Sequence, residues 1–416
     1  MAHKIRYGVS YWLDTLPKSR LPEYPRQRGR LTTDVAVVGG GLTACATAYA
    51  FAAAGINVAL FEAERVGSGS TAFANGLALQ EPGVQYRVVE QLYGVRTARR
   101  IFQTVHRAAL DLAATVRRLR IECGIEAREL ALIALTSDDE KRLRREWAAR
   151  KAAGLNAAFL TAHQLSARLK LDRYGALRTG DQACLDPYRA CLGFARAAAA
   201  RNAQFFEHSP VRRIRFGRRS VQLRTERGIV TARVVVVATE RATDLFKPLT
   251  RHFKTLHRYH VLTAPLPAVV RRELGPEMVV ISDTAVPPRW VQRLHDGRVM
   301  CSGGDQTEVP HRARETARVQ RTGQLMYELS TLYPAISGVV PEYGWDSAYG
   351  RTADGLPYLG PHRNYPHHLF ALGCGLGGPA LAFLASRILV RHYLGEVAKG
   401  DEFFDFSRAR GARRGA

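Results

Sequence analysis

The chain has 416 residues, 46% of them hydrophobic and 24% charged. That is enough apolar material for one large or two medium domains, and it excludes a disordered, collagen-like or disulfide-scaffold protein. Lysine and arginine number 61 against 37 acidic residues, a formal charge of +24, which alone would favour nucleic acid, an anionic membrane or acidic substrates.

The basic residues are dispersed, with short pairs such as Arg212-Arg213 and Arg218-Arg219 and no long tract. Only Lys4, Lys18, Lys141, Lys151, Lys170, Lys247, Lys254 and Lys399 are lysine. The excess is therefore arginine, the pattern of GC-rich codon usage, and nucleic acid is not the expected partner. Cys45, Cys123, Cys184, Cys191, Cys301 and Cys374 form no Cys-x-x-Cys pair. Neither a metal site nor a disulfide framework is expected, but reduced thiols in a cytoplasmic protein. The N-terminal residues lack an apolar core and a cleavage motif, so no signal peptide is expected.

Residues 1–30 are polar and rich in proline and arginine, and read as an extended arm. Asp34 to Val38 reads as a strand, Gly39 to Gly41 as a turn, and Leu42 to Ala54 as a helix of small residues. Asn57 to Phe61 is a second strand ending at Glu62. Val35 to Phe61 and Leu369 to Ser386 are uncharged over lengths near a membrane span. Glycine clusters cut both, so buried strand–turn–helix segments are expected and no transmembrane span. Residues 88–152 carry apolar positions at helical spacing. Leu185 to Arg201 starts with Asp186-Pro187 and continues as an alanine-rich helix. Val211 to Thr239 alternates as short strands, with turns at Arg218-Arg219 and Arg227-Gly228 and a buried run from Val234 to Val237. Residues 255–305 are strand-rich, Thr316 to Thr331 is helical, and Ala380 to Leu394 is the final helix.

Gly39-x-Gly41-x-x-Ala44 follows a strand and opens a helix, as a dinucleotide-binding turn does. The first glycine permits the tight turn, the second lets the backbone approach a pyrophosphate, and Ala44 is small enough for the helix to pack on the strand. The helix start offers unpaired N–H groups and a positive dipole end. Glu62 stands 23 residues after Gly39, where its carboxylate can accept both ribose hydroxyls and would repel a 2′-phosphate. Gly40, Leu42, Thr43 and Ala63 belong to the same candidate site. The motif alone leaves FAD and NAD open. A second small-residue loop, with Gly69, Ser70, Thr71, Ala74, Asn75 and Gly76, suits a longer ligand running past the pyrophosphate.

Further segments follow in a recognisable order: Ser10 to Asp14, the 67–76 loop, Leu185 to Arg189, Ser209-Pro210-Val211 and Val237-Ala238-Thr239. Towards the C-terminus come Thr352 to Gly360, Ala371 to Pro379 and Phe403 to Phe406. On these segments the chain resembles the D-amino-acid-oxidase-like superfamily of FAD-dependent amine oxidoreductases, nearest its γ-glutamylputrescine oxidase-like and glycine and sarcosine oxidase-like members. The resemblance implies an α/β fold, with a Rossmann-like FAD-binding domain (31–94, 181–245 and 341–416) and an interleaved antiparallel-sheet substrate domain (95–180 and 246–340). It implies hydride removal from the amine-bearing carbon of a small amine or amino acid, giving an imine.

By the same resemblance Val211 contacts the adenine end, and Ala238 and Thr239 close the FAD-binding domain. Gly373, Gly375, Leu376, Gly377, Gly378 and Pro379 run beside the flavin, with the last helix directing its positive end at N1/C2=O. Relatives with covalent flavin use a histidine in the early loop or a cysteine before Thr352. Neither is present, so non-covalent FAD is expected.

Trp290 to Leu294, Asp296 to Arg298 and Gly303 to Asp305 resemble a substrate-domain hairpin, which makes Arg293 a candidate substrate anchor. Tyr349 stands where glycine oxidases place a carboxylate-binding arginine, and Arg351 lies two residues on. Tyr259 and His260 lie on a strand that could line the same pocket. Sarcosine-oxidase-like relatives place a lysine near the flavin to aid reaction with oxygen, and no lysine lies between Lys254 and Lys399. The electron acceptor is thus oxygen or another carrier. Oxidation of a modified tRNA base side chain and a non-catalytic flavin-binding subunit are the alternatives.

Overall fold

The uncharged run from Val35 to Phe61 builds the centre of one of two large sheets. The computed structural model describes residues 5–276 and 278–408; residues 1–4 of the expected arm, residue 277 and residues 409–416 lie outside the described residues. Strand Gly29–Val38 pairs in parallel with Val58–Phe61 on one side and Gly228–Glu240 on the other. This eight-stranded sheet runs Tyr358–His362, Tyr365–Leu372, Gly228–Glu240, Gly29–Val38, Val58–Phe61, Gln204–Phe206, and Arg213–Phe216 and Val221–Arg224 extend the long strand as a hairpin. Central parallel strands are covered on both faces and must be apolar throughout. Val35, Val37 and Val235 to Val237 are accordingly fully buried. Helix Leu42–Ala53 is apolar on nearly every face because it lies between helices Pro187–Ala199 and Gly378–Leu394. Ala44, Ala46 and Ala48 keep that contact close.

The ten-stranded sheet runs Arg6–Tyr7, Pro341–Arg351, Lys254–Thr263, Val299–Thr307, Trp290–Arg293, Val279–Asp283, Glu126–Ile133, Gly175–Cys184, Leu77–Ala78, with Ala158–Thr161 paired to Gly175–Cys184. It is antiparallel except where Arg6–Tyr7 joins Pro341–Arg351 and Val279–Asp283 joins Glu126–Ile133. Helix Arg314–Leu332 packs across its strands Lys254–Thr263, Val299–Thr307 and Pro341–Arg351.

Several segments depart from the sequence reading, Leu77–Ala78 among them, since it joins the ten-stranded sheet although it lies within 31–94. Glu126–Ile133 interrupts the stretch read as helical. Its residues are mostly helix formers, but pairing to strands on both sides overrides local propensity. Pro341–Arg351, grouped above with the FAD-binding segments, is a strand of the ten-stranded sheet. Helix Val95–Arg118, grouped with the substrate domain, packs on the last helix of the other unit.

The chain crosses between the sheets at residues 352–357, and Arg408 pins that crossing. Its guanidinium meets both oxygens of Asp354, donates to the carbonyls of Leu356, Pro357 and Phe404, and lies 3.9 Å above the Tyr358 ring. Tyr93 donates to the same aspartate at 2.6 Å. No helix among the described residues is long and apolar enough to cross a membrane.

Candidate functional site

A cleft of about 940 Å³ opens where the carboxyl ends of the parallel strands meet the ten-stranded sheet. That volume is at the upper end of small-molecule sites, which span roughly 300–1,000 Å³. At one end it is lined by Gly39 to Thr43, Glu62, Ala63, Val211, Ala238 and Thr239, and further along by Gly69 to Thr71, Ala74, Asn75, Gly375, Gly378 and Pro379. The other end is walled by Arg258, His260, Ser347 and Tyr349, with Asp346, Arg314 and Arg318 reaching its rim from the other face of the sheet.

The first end is made of backbone. Gly39 sits at φ +110°, and a Cβ there would come 2.6 Å from the Ala238 carbonyl oxygen. Gly40 is equally constrained, because its Cβ would fall 2.7 Å from a Glu62 carboxylate oxygen. The position left open in the sequence pattern is therefore glycine for the sake of the acid beside it. Glu62 accepts the Glu64 N–H at 2.9 Å. Burial pushes its carboxyl above the ordinary carboxylate range, and N–H groups of Glu64, Gly40 and Ala63 oppose that. Thr71 Oγ1 accepts the Leu42 N–H at 2.9 Å and so ties the small-residue loop to the helix start.

These features fit a dinucleotide. The cradle has no room for side chains, the helix start faces it, and a carboxylate stands at the end of the second strand.

Side chains from distant segments hold the 67–76 loop. Ser10 donates to the Ala72 carbonyl, Trp12 to that of Ala74 at 2.8 Å, Trp345 to that of Phe73 at 2.9 Å and Gln292 to that of Asn75. The arm thus acts as a clamp on this loop.

Glu240 is a cleft residue that the sequence reading missed. It ends the long strand at φ +63°. Its Oε1 accepts N–H groups of Gly350 (3.3 Å) and Gly375 (3.0 Å), its Oε2 that of Cys374 (3.2 Å), and its carbonyl that of Gly373 (2.8 Å). One side chain therefore shapes the whole turn 373–375. Burial raises its carboxyl to about 7 against those three donors. The one signal in the sequence is an acid directly after the Ala238-Thr239 pair.

The far end is built of paired charges. Arg258 meets both oxygens of Asp305 at 2.8 and 2.7 Å, and Tyr349 donates to the same carboxylate at 2.6 Å. Burial would raise the Asp305 carboxyl, but Arg258 and Tyr349 hold it below its ordinary range. On the opposite, helix-covered face of the same sheet, Asp346 takes Arg314 and Arg318 at 3.0 Å each, and His257 Nδ1 at 2.9 Å. Against burial, these donors hold its carboxyl well below the usual range. His260 lies between Ser302 and Ser347 Oγ at 2.8 and 2.9 Å and stacks on Trp345. Burial, helped by Arg258, lowers its imidazole to about 3, so it is neutral at pH 7.

Not every candidate reaches the cleft. Tyr349 lines it, but Arg351 is exposed at the strand end and does not. Arg293 is not brought there either: it donates to the Gly275 carbonyl at 2.8 Å. The reason is strand alternation. Gln292, one residue earlier, points to the Asn75 loop and so sends Arg293 to the opposite face. The same rule turns His260 to the cleft and buries Tyr259 in the core beneath helix Arg314–Leu332. Ala44, Gly76, Gly373, Leu376 and Gly377 lie beside the cleft without lining it. Gly76 packs against the Leu185 carbonyl instead.

A family model described as FAD dependent oxidoreductase matches residues 34–392. The γ-glutamylputrescine oxidoreductase of Escherichia coli K12 is 25% identical over 380 residues, covering 90% of this chain and 86% of its own. The glycine oxidase of Bacillus subtilis is 24% identical over 364 residues, 84% of this chain and 89% of that one. Among solved structures, glycine oxidase from Geobacillus kaustophilus superposes with a TM-score of 0.74 at 21% identity, covering 89% of this chain and 96% of that one. L-amino acid deaminase from Proteus myxofaciens gives 0.77 at 13% identity, with coverage of 97% and 99%. The solved structures show a shared fold.

Proposed function

The chain belongs to the family of FAD-dependent oxidoreductases, and from that premise we propose that it removes hydride from the amine-bearing carbon of a small amine or amino acid. The carrying observation is that one continuous cleft joins the glycine cradle to the polar end around Tyr349, Arg258 and His260. FAD, when bound, supplies the two-electron oxidation. The start of helix Leu42–Ala53 would hold its phosphates and Glu62 its ribose hydroxyls. Glu240 holds the glycine turn that precedes the last helix, whose N-terminus favours negative charge.

At the far end the protein positions rather than reacts. The Arg258–Asp305–Tyr349 unit is joined by three hydrogen bonds and forms a stiff wall. Burial lifts the Tyr349 phenol well above its ordinary value, so it stays a donor to Asp305. The neutral His260 fixes the Ser347 hydroxyl, which faces the same space. The basic residues lining the cleft are Arg212, Arg241, Arg258, Arg314 and Arg318, without a lysine among the described residues. That supports an electron acceptor other than oxygen.

Anaerobic mixing of the yellow holoprotein with a panel of amines, amino acids and hydroxy acids tests the reading. Bleaching by amine members alone is expected, followed by imine hydrolysis to a carbonyl product. Flavin that bleaches only with hydroxy acids, or with nothing, overturns it. Repeating the mixing in air and with an artificial acceptor separates oxidase from dehydrogenase turnover.

A further inference from the structure

Glu240 joins the two halves of the cleft through one carboxyl. It accepts the Gly350 N–H from a strand of the ten-stranded sheet, and those of Gly375 and Cys374 from the turn before the last helix. Gly375 packs so closely on it that an added Cβ would fall 2.8 Å from Oε1. Glu240, Cys374 and Gly375 all line the cleft, so a ligand filling it from the cradle to the substrate wall passes this carboxyl.

Unlike Asp305, which has Arg258, Glu240 forms no ion pair among the described residues. Burial opposes its charge and three backbone dipoles support it, which leaves the carboxyl at about 7. Few other ionisable groups surround it. Arg241 follows it in the chain and favours its ionised form. On the turn, the Cys374 thiol is pushed far up by burial and by Glu240 itself, and stays neutral. Strand Pro341–Arg351 brings Tyr349, engaged with Asp305, and the exposed Arg351. Asp244, four residues on, lines the cleft and is exposed. The first turn of helix Gly378–Leu394 carries no ionisable side chain.

We propose that Glu240 takes up a proton when the bound flavin is reduced, so that reduction depends on pH through this one carboxyl. FAD binding is all that this role requires, and it stands or falls apart from the amine substrate. Oxidised flavin is neutral, and a transferred hydride brings two electrons and one proton, leaving one negative charge. A carboxylate at the junction repels that charge. A proton from solvent then forms the O–H bond of neutral Glu240, and no electrons move in that step. The uptake is confined to pH values between the carboxyl's pKa in the oxidised protein and its higher value in the reduced one.

The test equilibrates the FAD-loaded full chain with a redox dye under anaerobic conditions, from about pH 6 to about pH 9. The slope of potential against pH counts the protons taken up per flavin. In the wild type the count should rise from one towards two over part of that range, while the reduced flavin keeps an anionic spectrum. In Glu240→Gln it should stay at one, and at the alkaline end the variant should favour reduced flavin at least roughly tenfold more than wild type.

A count of one throughout in the wild type, or equal slopes in both proteins, overturns the role. So does a second proton that arrives with the spectrum of neutral reduced flavin, because that proton is on the flavin. If Glu240→Gln loses FAD, Glu240→Asp still presents a carboxyl at the junction. Its two-proton range should move along the pH axis, and an unmoved range overturns the role equally. No amine enters these measurements, so a failure of amine oxidation leaves them intact.

Discussion

The two ends of the cleft are made of different material. The nucleotide end is backbone: glycine turns, helix starts and one acid, contributed by short stretches each continuous in sequence. The substrate end is side chains, drawn from strands Lys254–Thr263, Val299–Thr307 and Pro341–Arg351, with distances set by the Arg258–Asp305 ion pair and the hydrogen bonds around it. A backbone site tolerates change in most side chains but not in the few glycines that leave it room. A side-chain site can be re-specified by single substitutions while its scaffold stays intact. The first end therefore suits a cofactor held through its backbone, and the second suits discrimination among substrates.

That contrast breaks if cradle variants keep their flavin. Gly39→Val places a branched side chain at φ +110° against the Ala238 carbonyl, and a carbonyl in a buried strand cannot step aside. Purified Gly39→Val should be colourless, with FAD affinity reduced by more than roughly 100-fold in a titration of added cofactor.

Arg408 serves both ends, because it pins the crossing between the sheets. Arg408→Ala leaves Asp354 buried with an incomplete set of donors and should cost about 3–5 kcal/mol in denaturant unfolding. FAD retention and turnover should fall together, and loss of one alone would show that the two ends are not coupled through residues 352–357.

At the substrate end, Arg258→Gln should leave the protein yellow. It strips Asp305 of its bidentate partner, and kcat/KM should fall by roughly 10–100-fold with FAD content unchanged. Colourless protein would mean that the ends are not separable.

Glu240 lies between the two ends and gives the comparison a pH dependence. Its carboxyl is raised from 4.5 to about 7 in the folded protein, so the folded state favours the protonated form. The stability it contributes is fully present below about pH 4.5 and is lost as pH rises through about 7, an effect on the order of 3 kcal/mol. Thermal melts across that window should decline in the wild type and flatten in Glu240→Gln. An identical slope in both proteins would assign the pH dependence elsewhere.

The smallest effect is expected at Arg293. Because it points away from the cleft to Gly275, Arg293→Ala should change the KM for an amine substrate by less than about twofold. A larger rise in KM with kcat unchanged would return it to the site.

The nucleotide end was legible in the sequence because it is local. Gly39, Gly41, Ala44 and Glu62 are fixed by the geometry of one strand–turn–helix–strand unit, and spacing alone specifies their relation. The last glycine turn was legible too, but Glu240, which shapes it, lies more than 130 residues away. Nothing in the spacing joins them.

The opening charge of +24 shows the same division. Composition established that the excess is arginine. Tertiary structure decided which arginines matter: Arg408 is enclosed by carbonyls, Arg258 is locked to Asp305, and Arg314 and Arg318 are held by Asp346. On a strand, adjacent residues face opposite ways, so a one-residue difference sends Gln292 towards the loop and Arg293 away from it. Pairing register sets that direction, and it depends on neighbouring strands that the local sequence does not contain.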